Sequence, residues 1–234
     1  MISVPQFNKY KDHYKRFLSD YKPYDEMYKW DSLKNFQDNW NIEAEDFKTM
    51  YDQSLQNDYA SNLWAAQHFF PKGVMKQFIE IDKGRVKEMF SELFDESIDI
   101  EKRIDHFVYH CDILLPKIKE YDSNANNHYH SGNRIISVYL SFRYPETYTI
   151  YKYTEFKQMM EKLGAPNIPG TKEIGRFFKV MRTIFNMLEK DEELVSLIKT
   201  KTTEDKYFKN RTTLLAQDFY WCCTRENYAI ENYK

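Results

Sequence analysis

Apolar positions recur every three or four residues along most of this chain, the spacing of one buried face on an α-helix. Phe7, Tyr10, Tyr14, Phe17 and Tyr21 form the first stripe. Ser3-Val-Pro-Gln6 opens it as a capping box with proline just inside the helix start, and Pro23 closes it. Met27, Trp30, Leu33 and Phe36 predict a second helix ending near Trp40. Phe47, Met50, Tyr51 and Leu55 predict a third, capped by Asn41. Between Tyr59 and Phe94 several short helices are expected, broken at Pro71-Lys-Gly73 and Lys83-Gly84. The clearest helix runs from Ile98 to about Tyr121, with Ile104, Phe107, Val108, Cys111, Leu114, Leu115 and Ile118 on its buried face and Pro116 as a kink in its last turns.

Residues 122–133 are the most polar stretch. They divide the chain into two lobes, 1–121 and 134–234, or form a surface loop inside a single domain. Ile135, Val138, Tyr139 and Phe142 resume a helix that Pro145 ends. Tyr148-Thr-Ile-Tyr-Lys-Tyr153 is β-branched and aromatic, the one strand candidate. A helix from about Thr154 to Leu163 follows, then a turn over 164–170. Helical stripes return at Ile174 to Leu188, at Leu194, Leu197 and Ile198, and from Leu214 to about Arg225. The fold class expected is mainly α, a multi-helix globular domain with at most a small β element near 148–153.

Composition agrees with helices: 6 glycines and 7 prolines leave few residues for the tight turns of a hairpin-rich sheet. Aromatic residues make up 17% of the chain, a share suited to half-buried surfaces and interfaces. The formal net charge of -2 excludes a globally basic nucleic-acid binder but leaves room for a local basic patch. Cys111 and the adjacent Cys222 and Cys223 suit neither a disulfide framework nor a usual zinc spacing. With no signal-peptide core and no apolar run of ~18 residues, a cytoplasmic chain with no membrane partner is expected.

Motifs for catalysis fail one by one. Gly164 to Lys172 misses the phosphate-loop pattern, because five residues separate its glycines, Thr171 precedes Lys172, and two prolines remove amides. His106 and His110 share a helix face without the glutamate of a zinc-protease helix, so they are read as polar-face histidines. His128 and His130 are read as solvated loop histidines, with a metal or anion as the alternative. The acidic runs at Asp95 to Glu101 and Asp191 to Glu193 sit where helices begin and complement the helix dipole. Glu155-Phe-Lys157 follows the strand candidate but lacks the upstream Asp of a restriction-type nuclease. No catalytic residue, metal or cofactor is therefore expected. What remains is a basic and aromatic run: His128, Tyr129, His130, Asn133 and Arg134, then Arg143, then Tyr148, Tyr151, Lys152 and Tyr153. Cations there suit phosphates, and tyrosine rings suit an unpaired base.

The run Asn133-Arg-Ile-Ile-Ser-Val-Tyr-Leu-Ser-Phe-Arg-Tyr-Pro145, followed by Tyr148-Thr-Ile-Tyr-Lys-Tyr-Thr-Glu-Phe156, resembles the N-terminal region of McrB-like AAA+ ATPases. Phe70-Pro-Lys-Gly-Val-Met75, Met89-Phe-Ser-Glu-Leu-Phe-Asp-Glu-Ser97, Asp191-Glu-Glu-Leu-Val-Ser-Leu-Ile198 and Leu215-Ala-Gln-Asp-Phe219 extend the likeness in order over roughly residues 40–220. The resemblance implies a recognition module of an antiviral, McrBC-type restriction system, which reads DNA, modified-base DNA in several cases, for an AAA+ motor and an McrC-like nuclease. It also implies oligomerisation through the motor. This chain carries no Walker motif, so it stands as a fragment or a stand-alone relative. Tyr129, His130, Asn133, Arg134, Tyr151 and Lys152 are the residues expected to meet nucleic acid. The alternative expectation is a protein-interaction and assembly module, which the abundant Tyr and Trp fit equally well.

Overall fold

The computed structural model describes residues 2–20, 26–57, 59–64 and 69–225. Eleven α-helices are found among them, with no sheet, as the periodicity requires. They are α1 (Val4–Asp20), α2 (Tyr28–Asn39), α3 (Phe47–Ser54), α4 (Pro71–Ile81), α5 (Lys83–Leu93), α6 (Ile100–Lys119), α7 (Arg134–Arg143), α8 (Tyr153–Lys162), α9 (Ile174–Leu188), α10 (Glu192–Lys201) and α11 (Leu214–Cys223). A 3₁₀ turn covers Ala60–Leu63. Tyr21 and Pro23, the expected end of the first helix, lie outside the described residues.

Several helix starts follow from local chemistry. Asp46, not Asn41, caps α3, its carboxylate accepting the Thr49 amide at 3.0 Å. Asp99 accepts from the amides of Glu101 and Lys102 at the start of α6, whose last turn carries Lys117 and Lys119 against the dipole. Pro71 begins α4 instead of interrupting a helix, since its missing N–H falls where no partner exists. The Ser3 hydroxyl lies a long 3.5 Å from the Gln6 amide, so the expected capping box contributes little.

No strand forms over 148–152. Its carbonyls are satisfied by side chains of the last helix region: Thr213 Oγ1 donates to Tyr148, and the Tyr220 hydroxyl donates to Ile150 at 2.7 Å. With those acceptors taken and no neighbouring strand among the described residues, β-propensity has nothing to pair with.

The chain divides into two compact units. One joins Met1–Trp30 to Pro145–Lys234, and the other is the continuous segment Asp31–Tyr144. This differs from the division expected at 122–133, because that polar stretch lies inside the second unit. Its histidines are buried there, which ties the loop down.

The first unit is organised around α11, every residue of which is buried. It packs against α1, α8 and α9. Phe219 meets Phe7 and Tyr14 with ring centroids 5.7 and 5.9 Å apart, and Trp221 meets Phe17 at 5.6 Å. Two polar residues on this helix, Gln217 and Asp218, are also buried. Asp218 accepts from the Tyr14 hydroxyl at 2.6 Å and from the Lys29 ammonium.

The second unit packs α3, α4, α5 and α6 against one another. Phe90 is fully buried, its ring 5.0 Å from Trp40, 5.2 Å from Phe107 and 5.1 Å from Tyr139 of α7. No helix among the described residues is long and apolar enough to cross a membrane.

Candidate functional site

The residues expected to meet nucleic acid do not share one environment. Tyr129, His130, Asn133 and Arg134 belong to the second unit, and Tyr151 and Lys152 to the first. His130 is fully buried. Tyr151 is buried too: its ring stands against Phe177 at 4.9 Å, its hydroxyl reaches the Thr171 carbonyl at 3.4 Å, and burial helped by Tyr153 pushes its pKa up to about 12. Neither ring is placed to stack on a base. Lys152 is half-buried just before α8.

The others form an aromatic patch with a cation in it. Tyr129 is half-buried and sets its ring edge against Phe69 at 5.5 Å and Phe70 at 6.4 Å. Phe70 is 61% exposed. The Arg134 guanidinium lies 5.7 Å from the Phe69 ring centroid and its Nε donates to the Leu63 carbonyl. Sequence reasoning does not single out Phe69 and Phe70 as site residues, because they precede Pro71 with no periodic pattern of their own.

Backbone strain brackets this patch. Tyr129 has φ 63° and Asn133 φ 59°, both in the left-handed region. Asparagine tolerates it, whereas a bulky tyrosine there costs on the order of 1–3 kcal/mol that the surroundings must offset. The Asn127 carboxamide holds the turn by accepting the Tyr129 amide at 2.7 Å. The turn drives the side chains on either side of Tyr129 inward.

Those side chains are His128 and His130, and they meet Cys111 of α6. One ligand-type atom from each lies within 4.8 Å of the other two, and all three residues are buried. The reading as solvated loop histidines is thereby corrected. The His130 amide donates to His128 Nδ1 at 3.0 Å, and His128 Nε2 faces Asp112 Oδ1 at 3.2 Å. His130 Nδ1 contacts the His128 carbonyl, while its Nε2 is 3.4 Å from the Tyr139 hydroxyl. Burial, with His128 alongside, pulls the His130 pKa down to about 3, and burial raises the Cys111 thiol well above its usual range. The His-x-His pattern is visible in the sequence, but the cysteine lies on a helix 17 residues before His128, at no recognised metal spacing.

His106 and His110 both turn toward Glu92, each 3.8 Å from Oε2, at the surface of α5 and α6. In the first unit, α9 presents Arg176, Lys179 and Arg182 on its exposed side, Arg176 being paired with Glu173 just before the helix. That unit holds 21 Lys and Arg against 17 Asp and Glu, while the second holds 13 against 19. The near-neutral whole therefore conceals a basic unit and an acidic one.

Comparison with protein-family models, curated proteins and solved structures gives no match to this chain.

Proposed function

We propose that this chain is a DNA-recognition module acting in the cytoplasm, serving an AAA+ motor and partner nuclease of the McrBC type in defence against foreign DNA. The observation that carries the reading is the patch of Tyr129, Phe69, Phe70 and Arg134. Phe70 is exposed with Phe69, Tyr129 and the Arg134 guanidinium beside it, an arrangement that suits an unpaired base stacked next to a cation. Asn133, next to Arg134, adds an amide of the kind that reads a base edge. Independently, α9 of the first unit offers cations of the kind that meet phosphates. The order of segments resembling the N-terminal region of McrB-like proteins supports the same reading.

The test is binding of duplex DNA, with and without modified cytosine, measured across a salt series. Affinity that falls steeply with salt and weakens in Arg134→Ala supports the proposal. Absence of binding to every DNA at low salt overturns it in favour of a protein-interaction module.

A further inference from the structure

The buried Cys111, His128 and His130 adjoin Tyr129 in the chain but face the interior and have a chemistry of their own. A thiol and two imidazoles make a donor set of borderline softness that suits zinc. We propose that Cys111, His128 and His130 bind one zinc ion, with water in the fourth position.

The hydrogen bonds around the two rings argue for this over a chance meeting of side chains. A carbonyl oxygen only accepts, so the contact between His130 Nδ1 and the His128 carbonyl places the proton on Nδ1. The lone pair of His130 is then on Nε2, where it accepts a long hydrogen bond of 3.4 Å from the Tyr139 hydroxyl that a bound ion would displace. His128 carries the complementary arrangement: its Nδ1 accepts the His130 amide, so its proton is on Nε2, facing Asp112. Zinc-bound histidines are oriented in this way, the remote N–H held by a carbonyl or a carboxylate. Zinc takes the lone pairs of His130 Nε2 and His128 Nδ1, the His130 amide giving way at the latter. Cys111 binds through sulfur, and its proton leaves to solvent. Donor atoms around tetrahedral zinc stand about 3.5 Å apart. One ligand-type atom of each residue lies within 4.8 Å of the other two, and side-chain movements of about 1 Å bring such a set to that spacing. The exposed Asp112 carboxylate, adjoining Cys111 on α6, marks the side from which an ion enters.

The strained Tyr129 gains a reason from this assignment. The φ of 63° at Tyr129 sets the local turn in which His128 and His130 both face Cys111.

Cobalt(II) is the probe, because its thiolate complexes absorb in the near ultraviolet and its tetrahedral complexes absorb visible light strongly. The metal-stripped full chain is titrated with cobalt and then with zinc. Expected are one cobalt per chain, a thiolate charge-transfer band, displacement by zinc, and loss of that band in Cys111→Ala with a cooperative thermal transition retained. A His106→Ala/His110→Ala chain keeps the band. Three outcomes overturn the proposal: no cobalt spectrum in a folded wild-type chain, a spectrum unchanged by Cys111→Ala, or one abolished by the His106/His110 pair, which would place the ion beside Glu92.

Discussion

Lys29 Nζ stands 2.7 Å from Asp218 Oδ1, and neither side chain is exposed to solvent. Burial disfavours the ammonium, but Asp218 and Glu26 outweigh it and hold Lys29 above its ordinary pKa, so the ammonium stays charged. Tyr14 completes the carboxylate through its second oxygen. Removing Asp218 leaves the buried ammonium with Glu26, 2.5 Å away, as its remaining counter-charge. Asp218→Ala should destabilise the first unit by about 3–5 kcal/mol, whereas replacing both partners with apolar residues of similar volume should be much milder. Urea denaturation of the single and double variants measures the difference.

In the metal-free chain, acid should weaken the second unit before it weakens the first. The folded-state pKa of His130 is depressed to about 3, below the value of about 6.5 for an unfolded histidine. Between those two values the unfolded chain binds a proton that the folded chain does not. Stability is therefore full above about pH 6.5 and falls by up to ~1.4 kcal/mol per pH unit below it. His128, also shifted down by burial, acts in the same direction. Melting curves from pH 7 to 4 should show the slope, and His130→Gln should flatten it.

Phe90 sits at the centre of the aromatic packing of the second unit, its ring against Trp40, Phe107, Tyr139, Phe94 and Tyr51. Phe90→Ala opens a cavity among rings that cannot all close inward. A destabilisation of about 3–5 kcal/mol is expected, read as a lower denaturant midpoint, with Phe90→Leu retaining most of the stability.

If α9 meets phosphates, neutralising its exposed cations changes the salt dependence as well as the affinity. Arg176→Ala, Lys179→Ala and Arg182→Ala together should make the slope of log affinity against log salt shallower by ~0.9 for each phosphate that is no longer neutralised. The effect should be equal across DNA sequences, since phosphates carry no base information. A slope identical to the wild type would exclude α9 from the interface.

The helices were legible because burial imposes a period on the sequence, and α9 and α6 carry that period without interruption. The strand at 148–153 misled because β-branched and aromatic residues there serve packing, while their carbonyls bond to Thr213 and Tyr220 from far along the chain. The same blindness to distance hid the metal-type cluster. His128 and His130 are in a polar stretch that reads as solvated, and only the fold shows α6 lying beneath it with Cys111. Tyr151 failed as a stacking residue for a related cause: a tyrosine's spacing does not tell which of its faces Phe177 covers.

The complete burial of α11 also sets a schedule for synthesis. The second unit is one continuous run, 31–144, and can fold as soon as it clears the ribosome. The first unit begins with α1, the earliest of these helices to be made, yet its central helix comes some two hundred residues later. During elongation α1 carries Phe7, Tyr14 and Phe17 with no α11 to receive them. Its aromatic face has no partner helix until α11 has cleared the ribosome in turn.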